Sequence, residues 1–332
     1  MKDESGSVKR VVRWPLALAS VLALVAFSPE AASAQVPPRF YWKTLSGANA
    51  VPLIVNSISG NTNPFDPSHL VTPGANVDAT LALPGYARTF SLGGRAALFA
   101  VIAPMGRISG EVTAGGGTVR ETARGFGDPT LELDVNLVGR PAQKNLVDAL
   151  RYEPGFSLDL LADLAFPIGE YDSTQALNIG QNRWYGRVGL PVVWQLGAWV
   201  PGRRTTLEFL PAVWLFGKND NFVGQTLETD PLFQLDAHLT RDFAERIWGA
   251  LDLTYYKGGG STINGVAGGK LNNVGVGLTL GYTVNENMNL TFGYKSTVND
   301  SAATDMRMDG FMVTLVFGWH PVVEGMRRLK NE

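Results

Sequence analysis

The chain has 332 residues, of which 45% are hydrophobic and 17% charged, with a formal net charge of −2 and no cysteine. This composition excludes a disordered chain and disulfide bonding, and it lacks the concentration of Lys and Arg that a nucleic-acid-binding face requires.

The first 34 residues have the three parts of a secretory signal peptide. A basic segment at residues 9–13 precedes an apolar one at 16–27, and Ala32-Ser33-Ala34 forms a small-residue cleavage site. The apolar run is too short for a membrane-spanning helix, which needs about 20 residues. We therefore predict export, cleavage after Ala34 and a mature chain that begins at Gln35.

Beyond Gln35, apolar and polar residues alternate in segment after segment, which predicts β-strands with two different faces. In the second of these segments, for example, Val77 and Leu81 share one face, and Asp78 and Thr80 the other. The predicted strands cover residues 51–55, 77–90, 95–103, 131–137, 156–166, 182–197, 205–216, 233–239, 247–255, 276–282, 288–294 and 311–319.

The connections between these strands alternate between short and long. The short ones are 91–94, 198–204, 242–246 and 285–287, and the long ones, rich in Gly, Asn and Asp, are 59–76, 104–125, 169–183, 218–229, 258–271 and 298–309. We expect the loop at 104–125 to contain a small hairpin of its own. Residues 139–154 fall in the short set although they are long, and they contain a predicted helical turn around Lys144 to Arg151. Short turns on one side and long loops on the other are typical of outer-membrane barrels.

Strand length separates a bilayer-spanning barrel from the alternative, a soluble β-sandwich. Soluble strands cluster near 5–6 residues, whereas membrane strands need about 9–11. The opposite facing of residues 131–137 would also place Glu132 and Asp134 in lipid, at a cost of up to a few kcal/mol each. We predict an all-β protein: a transmembrane antiparallel up-and-down β-barrel of residues 35–320, with twelve strands in a range of about 10–14, followed by a periplasmic tail of residues 321–332.

This facing assigns the polar residues of the strands to the lumen, where acidic side chains outnumber basic ones. The predicted lumen-lining residues, which are candidates for a transport path, are Asp78, Arg88, Arg95, Glu132, Asp134, Asn136, Asp159, Asp163, Arg187, Glu208, Asp236, His238, Asp252 and Lys295. An acidic lumen attracts cations and repels anions.

Three runs resemble an outer-membrane family labelled as transporters of the MetA pathway of phenol degradation. They are GFGDPTLELDVNLVG (125–139), NIGQNRW (178–184) and FLPAVWLFGKNDNF with the following DPLFQLDAHL (209–222 and 230–239). The resemblance implies a barrel in the outer membrane of a Gram-negative bacterium and passage of aromatic or other small hydrophobic compounds. The motif residues are Gly125, Gly127, Asp128, Pro129, Asn178, Gly180, Asn182, Arg183 and Trp184.

The sequence contains no metal-binding or nucleotide-binding motif, and we expect no cofactor and no catalytic residues. His69, His238 and His320 do not have the spacing of metal ligands. His238 and Thr240 are a base and a hydroxyl on one face of a strand, but the sequence indicates no third residue to orient the base. Gly-Asp-Pro at 127–129 is first a turn and strand-entry signal, although it could also contact a ligand.

Three functions remain. The first is a channel or transporter for small molecules, with outer-membrane lipid and a small-molecule permeant as partners. The second is a structural or adhesion barrel with a closed lumen, and the third is an outer-membrane hydrolase.

Overall fold

The computed structural model describes residues 36–42, 45–114 and 117–325. The predicted signal peptide of residues 1–34 lies outside the described residues, as do residues 326–332 of the predicted tail. Residues 321–325 are helical. No helix in the described ranges is long and apolar enough to cross a membrane.

The described chain consists mainly of β-strands and contains a short helix, α1 (Leu146–Leu150). The strands are β1 (Asn49–Gly60), β2 (Ala75–Leu92), β3 (Arg95–Ile102), β4 (Met105–Ala114), β5 (Gly117–Phe126), β6 (Thr130–Val138), β7 (Phe156–Ala165), β8 (Tyr185–Gly189), β9 (Val192–Gln195), β10 (Thr205–Phe216), β11 (Asn219–Phe222), β12 (Gln225–Thr229), β13 (Leu232–Asp242), β14 (Ile247–Gly258), β15 (Ser261–Ile263), β16 (Val266–Ala267), β17 (Leu271–Asn285), β18 (Met288–Thr297) and β19 (Met308–Trp319).

These strands close into an antiparallel barrel because β1 pairs with both β2 and β19. β3 and β4 pair with successive halves of β2 and so act as one long strand. In the same way β5 continues into β6, and β8 into β9. With each of these three pairs counted as one strand, the barrel has the predicted twelve strands. The remaining strands, β11, β12, β15 and β16, form a separate four-stranded sheet. Closure leaves the membrane-spanning wall without an unpaired edge, as a bilayer requires.

The barrel has two unlike ends, which we call the short-turn end and the long-loop end. Tight connections such as 93–94, 243–246 and 286–287 lie at the first, with α1 in the longer connection there. The connections at the long-loop end contain more regular structure than the sequence indicates. The small hairpin expected within the loop at 104–125 is a long one, β4–β5, which takes up nearly the whole segment. The outer sheet uses the connections around residues 219–229 and 261–267.

The wall of the barrel presents apolar side chains outwards and polar ones inwards. On β6, Leu133 is 41% exposed whereas Asp134 is completely buried. Leu251 and Leu278 on later strands are also exposed outwards, and Thr240 and Asp236 are completely buried inside. The facing predicted for residues 131–137 is therefore correct, and the exposed apolar surface matches a hydrocarbon environment.

The predicted facing of β2 is wrong. Val77, Ala79 and Leu81 point into the barrel, and Asp78 is exposed on the outside, where it accepts a hydrogen bond of 2.6 Å from the Ser59 hydroxyl. The reason is that the lumen near the long-loop end is filled by apolar side chains, so the inner face of β2 meets an apolar medium there. Alternation alone does not say which side of a sheet is the apolar one.

Candidate functional site

Eleven of the fourteen predicted lumen residues are buried inside the barrel. They are Glu132, Asp134, Asn136, Asp159, Asp163, Arg187, Glu208, Asp236, His238, Asp252 and Lys295. The other three, Asp78, Arg88 and Arg95, are exposed on the outer side, and their assignment to the lumen is wrong. All three lie on β2 or β3, where the facing is reversed relative to the prediction.

One side of the lumen carries an acidic cluster on β6 and β7 with a single arginine on β8. The register places Glu132, Asp163 and Arg187 side by side across these strands. Arg187 Nε lies 2.6 Å from an Asp163 oxygen, and its terminal nitrogen lies 3.8 Å from Glu132. Four residues further along β6 and β7, Asp159 accepts a hydrogen bond of 2.7 Å from the Asn136 side chain. One guanidinium thus serves two adjacent carboxylates, which leaves this wall with excess negative charge.

The wall formed by β13, β14 and β17 is a connected hydrogen-bond network. His238 Nδ1 lies 2.6 Å from one Asp252 oxygen, and the Thr279 hydroxyl donates to the other at 2.6 Å. Asp236 accepts hydrogen bonds from Gln234 and Thr254 in the same way. Such a network fixes side-chain positions along a membrane-embedded wall.

This network corrects one argument made from the sequence. A third residue does orient the histidine, because Asp252 holds His238 through Nδ1. The hydroxyl of Thr240, the nucleophile of the hydrolase hypothesis, is instead engaged by Thr206 at 2.7 Å and by Arg39 Nε at 3.2 Å. The histidine–carboxylate pair is present, but the hydroxyl beside it has other partners.

Residues 36–42, which do not follow the alternating pattern of the strands, lie inside the lumen near the short-turn end; we call them the lumenal segment. The main polar contacts between this segment and the barrel wall are made by Arg39. Its guanidinium lies 2.7 Å from Asp242 and over the rings of Trp42 and Trp248, 4.3 and 4.2 Å from their centroids. Its backbone N–H also donates to Glu208 at 2.8 Å. The contacts of Arg39 with the Asp242 carboxylate and the Trp248 ring tie the segment to the wall, and its contact with Trp42 lies within the segment.

Apolar contacts hold the other side of the lumenal segment. Tyr41 packs with Leu161, Val193, Leu210 and Ala212 of the wall, and its neighbours Phe40 and Trp42 pack around this group. A cavity of about 10 Å³, roughly the space of one water molecule, remains between the segment and the wall beside Asp134. The signal available in the sequence was the dense PPRFYW run, which does not alternate like the strands.

At the long-loop end, the family-motif residues come together. Asp128 accepts backbone hydrogen bonds from Gly169 and Gln181, each at 2.8 Å. Burial raises the pKa of the Asp128 carboxyl, and these two hydrogen bonds oppose the rise. Gly180 lies so close to Gly169 that a Cβ on it would be 2.6 Å from the Gly169 backbone. The GFGDP and NIGQNRW runs thus fasten two loops to each other.

Arg183 extends this clamp to the loop between β1 and β2. Its guanidinium donates to both Asp66 oxygens at 2.8 and 2.9 Å, to Ser68 and to Thr229. The remaining motif residues have local roles. The Asn178 side chain donates to the backbone of its own loop, and the Asn182 side chain donates to Asn219. The Pro129 carbonyl accepts from the Phe166 N–H, and the Gly127 N–H donates to the Pro104 carbonyl. Gly125 adopts a φ of +136°, and the Trp184 ring meets the Phe166 ring edge-on.

The clamp encloses His69, a buried residue of the same loop. Its ring lies edge-on to Tyr256, 4.9 Å between centroids. Burial lowers the pKa of His69 to about 4, although the charge of Asp66 opposes this. The histidine is therefore neutral at pH 7 and is part of the packing.

The loops bring an apolar cluster into the outer half of the lumen. Its buried members, which we call the apolar cluster, are Ile58, Phe65, Ala75, Val77, Ala79, Leu81, Ile108, Ile179, Leu232, Tyr256, Leu271, Met306 and Met308. The lumen thus changes character along its axis, from apolar near the long loops to charged and polar near the short turns. Within the described ranges, no three His, Asp or Glu residues are grouped as metal ligands.

Comparisons with known proteins agree with this architecture. The family described as “Putative MetA-pathway of phenol degradation” matches residues 56–315. The structure is similar to an outer membrane channel from Pseudomonas putida F1, with 17% identity and a TM-score of 0.65 over 86% of this chain and 99% of that one. It is less similar to the transport unit of the autotransporter AIDA-I from Escherichia coli, with 8% identity and a TM-score of 0.45 over 91% and 96%. No curated protein matches in sequence.

Proposed function

The chain belongs to the family described as “Putative MetA-pathway of phenol degradation”, and we propose that it is an outer-membrane channel of a Gram-negative bacterium for small apolar molecules, aromatic compounds among them. The apolar cluster carries this proposal. The outer half of the lumen, which a solute from the long-loop end must cross, is filled by side chains such as Phe65, Leu81 and Met308 rather than by the ring of charges typical of a pore for ions.

The composition of the apolar cluster suits solutes of varied shape. Met306 and Met308 are both buried in it, and methionine is flexible and makes favourable contacts with aromatic rings. Transfer of an apolar solute from water into such a lining is favourable by about 25 cal/mol per Å² of surface buried. A carboxylate of the same size would lose its hydration there without a compensating partner.

The lumenal segment lies across the onward path. It occupies the lumen near the short-turn end through Arg39 and Tyr41, so passage of a solute requires this segment to move. This arrangement favours a gated channel over a permanently open pore.

Uptake by intact cells tests the proposal. Initial uptake of labelled phenol, benzoate and a pentose would be compared in cells with the wild-type barrel and cells without it. We expect the barrel to accelerate phenol most. Met308→Gln, in the apolar cluster, should reduce phenol uptake by about tenfold, as expected when a polar group lines an apolar path. Met288→Gln, outside the cluster at the short-turn end of β18, is the matched control. Equal acceleration of phenol and the pentose would contradict an apolar path.

The second candidate is a structural or adhesion barrel with a closed lumen. The outer sheet of β11, β12, β15 and β16 favours it, because this sheet stands apart from the barrel wall among the long loops. Conductance of the purified protein in planar bilayers separates the two functions. Steady closure at all voltages, both in wild type and in a variant with a loosened lumenal segment, would support the structural barrel.

A further inference from the structure

Four neighbouring strands change from apolar to polar residues at one level of the outer wall. The register across β1, β2, β4 and β5 gives an apolar row of Val55, Ala82, Met105 and Phe126. The next row towards the long loops, which we call the arginine row, is Ser57, Thr80, Arg107 and Arg124. The row beyond it is Ser59, Asp78, Ser109 and Thr122. An apolar row followed by polar rows marks the level at which hydrocarbon gives way to headgroups.

The arginine row contains two like charges in direct opposition. Arg107 and Arg124 are cross-strand partners on β4 and β5, both exposed, and their Cβ atoms are therefore about 5 Å apart. Their neighbours Ile108 and Ala123 point inwards to the apolar cluster, which directs both arginines outwards. Like charges directly opposite each other destabilise a strand pair unless an anion lies between them.

The structure does not supply that anion from the protein. Among the described residues, neither guanidinium has a hydrogen-bond or ion-pair partner, whereas the nearby carboxylates are engaged elsewhere. Glu111 pairs with Arg120 at 2.9 Å, and Asp78 accepts from Ser59. Glu121 accepts from the backbone N–H groups of residues 176 and 177.

The residues around the arginine pair resemble a lipid-binding surface. Phe126 is 59% exposed and continues the apolar wall. It lies two residues after Arg124 on β5 and therefore on the same face. Thr80 lies beside Arg107 and adds a hydroxyl donor. Two guanidinium groups, a hydroxyl and an apolar surface just below them fit a phosphate attached to acyl chains, because arginine binds phosphate oxygens bidentately.

We propose that Arg107 and Arg124 bind a phosphate of lipid A, the phosphorylated glycolipid of the outer leaflet. This inference rests on the outer-membrane location in the proposed function. It is independent of transport, because the site lies on the outer wall and not in the lumen. It predicts one preferred lipid position at the side of the barrel where β4 and β5 rise above the membrane.

Native mass spectrometry of the purified, folded barrel in detergent tests the proposal. The protein would be titrated with bisphosphorylated lipid A, dephosphorylated lipid A, phosphatidylglycerol and inorganic phosphate. Arg107→Gln with Arg124→Gln should lower lipid A affinity by roughly thirtyfold, the effect of two basic residues at an anionic membrane surface. Arg88→Gln is the matched control, since Arg88 is an exposed arginine on the same wall near the short-turn end.

Removal of the phosphates from lipid A should weaken wild-type binding to the same degree, and this comparison needs no variant to fold. Heat-modifiable gel mobility would report folding of each protein. Equal affinity of wild type and double variant for lipid A, or of wild type for the two forms of lipid A, would overturn the proposal. Displacement of lipid A by inorganic phosphate at equal concentration would also overturn it, because the site would then be one for soluble anions.

Discussion

Replacement of Arg39 by alanine should release the lumenal segment and open the barrel more often. In the structure this side chain joins three groups of the wall: Asp242 at 2.7 Å, the Trp248 ring at 4.2 Å and the Thr240 hydroxyl at 3.2 Å. The substitution removes these contacts but keeps the backbone hydrogen bond to Glu208, which does not depend on the side chain.

The loss of docking free energy follows from these contacts. A hydrogen bond between charged groups contributes about 1.5–3 kcal/mol, and a partly desolvated cation–π contact about 1–2 kcal/mol. Asp242 keeps a second partner, Arg204 at 2.8 Å, so the variant leaves no orphaned carboxylate to add to the cost. A loss of about 3 kcal/mol remains, which corresponds to roughly a 150-fold larger population of the undocked state.

Single-channel recording in planar bilayers measures this shift as the frequency of open events. Arg241→Ala is the matched control, because Arg241 is an exposed residue of β13, the strand that carries Thr240 and Asp242. Its side chain bonds Thr205 and the Arg203 carbonyl instead of the lumenal segment. We expect frequent openings in Arg39→Ala and wild-type behaviour in Arg241→Ala. An Arg39→Ala protein with the conductance and open frequency of wild type would refute the reasoning.

Three further predictions concern the wall, the acidic cluster and the outer loops. Leu133→Lys should reduce the yield of folded barrel, because a cation in hydrocarbon costs about 2–4 kcal/mol. Asp134→Asn changes the inner face and should insert normally. Heat-modifiable gel mobility measures the folded fraction of both variants. The open pore should prefer K⁺ to Cl⁻ at low salt, and the double variant Asp159→Asn with Asp163→Asn should reduce that preference. Reversal potentials in a tenfold KCl gradient measure the ion selectivity of both proteins. Anion selectivity in wild type would contradict the prediction. Since the pKa of buried His69 lies at about 4 against an ordinary 6.5, the loop around it should keep its full docking stability above pH 6.5 and lose about 3 kcal/mol as the pH falls to about 4. Limited proteolysis across this range should show the loss in wild type and not in His69→Asn, which tolerates the left-handed φ of 49°.

The number and order of the strands could be read from the sequence because both are local properties. Alternation over ten or so residues defines a membrane strand, and turn-forming residues define its ends. The same holds for the facing of β6, because Glu132 and Asp134 cannot lie in hydrocarbon without a large cost. The acidic cluster follows directly from that facing, and Arg187 takes its position in it through the register of β7 and β8.

The spatial arrangement of the family motifs was harder to predict from the sequence. Their turn chemistry was evident, but Asp128 and Arg183 act on loops that are distant in the chain, at Gly169 and Asp66. Such pairings depend on how the long loops fold back over the barrel. The orientation of His238 by Asp252 is of the same kind, because it requires the register between β13 and β14.

The sequence alone determined the barrel, since the period of two and the strand lengths are set by neighbouring residues and by the thickness of the bilayer. The tertiary structure decided what fills the barrel. The reversed facing of Val77 and Asp78 and the seat of Arg39 both depend on which distant segments occupy the lumen. An alternating strand is compatible with either facing, and the choice depends on which side of the wall meets the apolar medium. For β2 the apolar medium is the set of loop side chains inside the barrel, whereas for β6 it is the lipid outside.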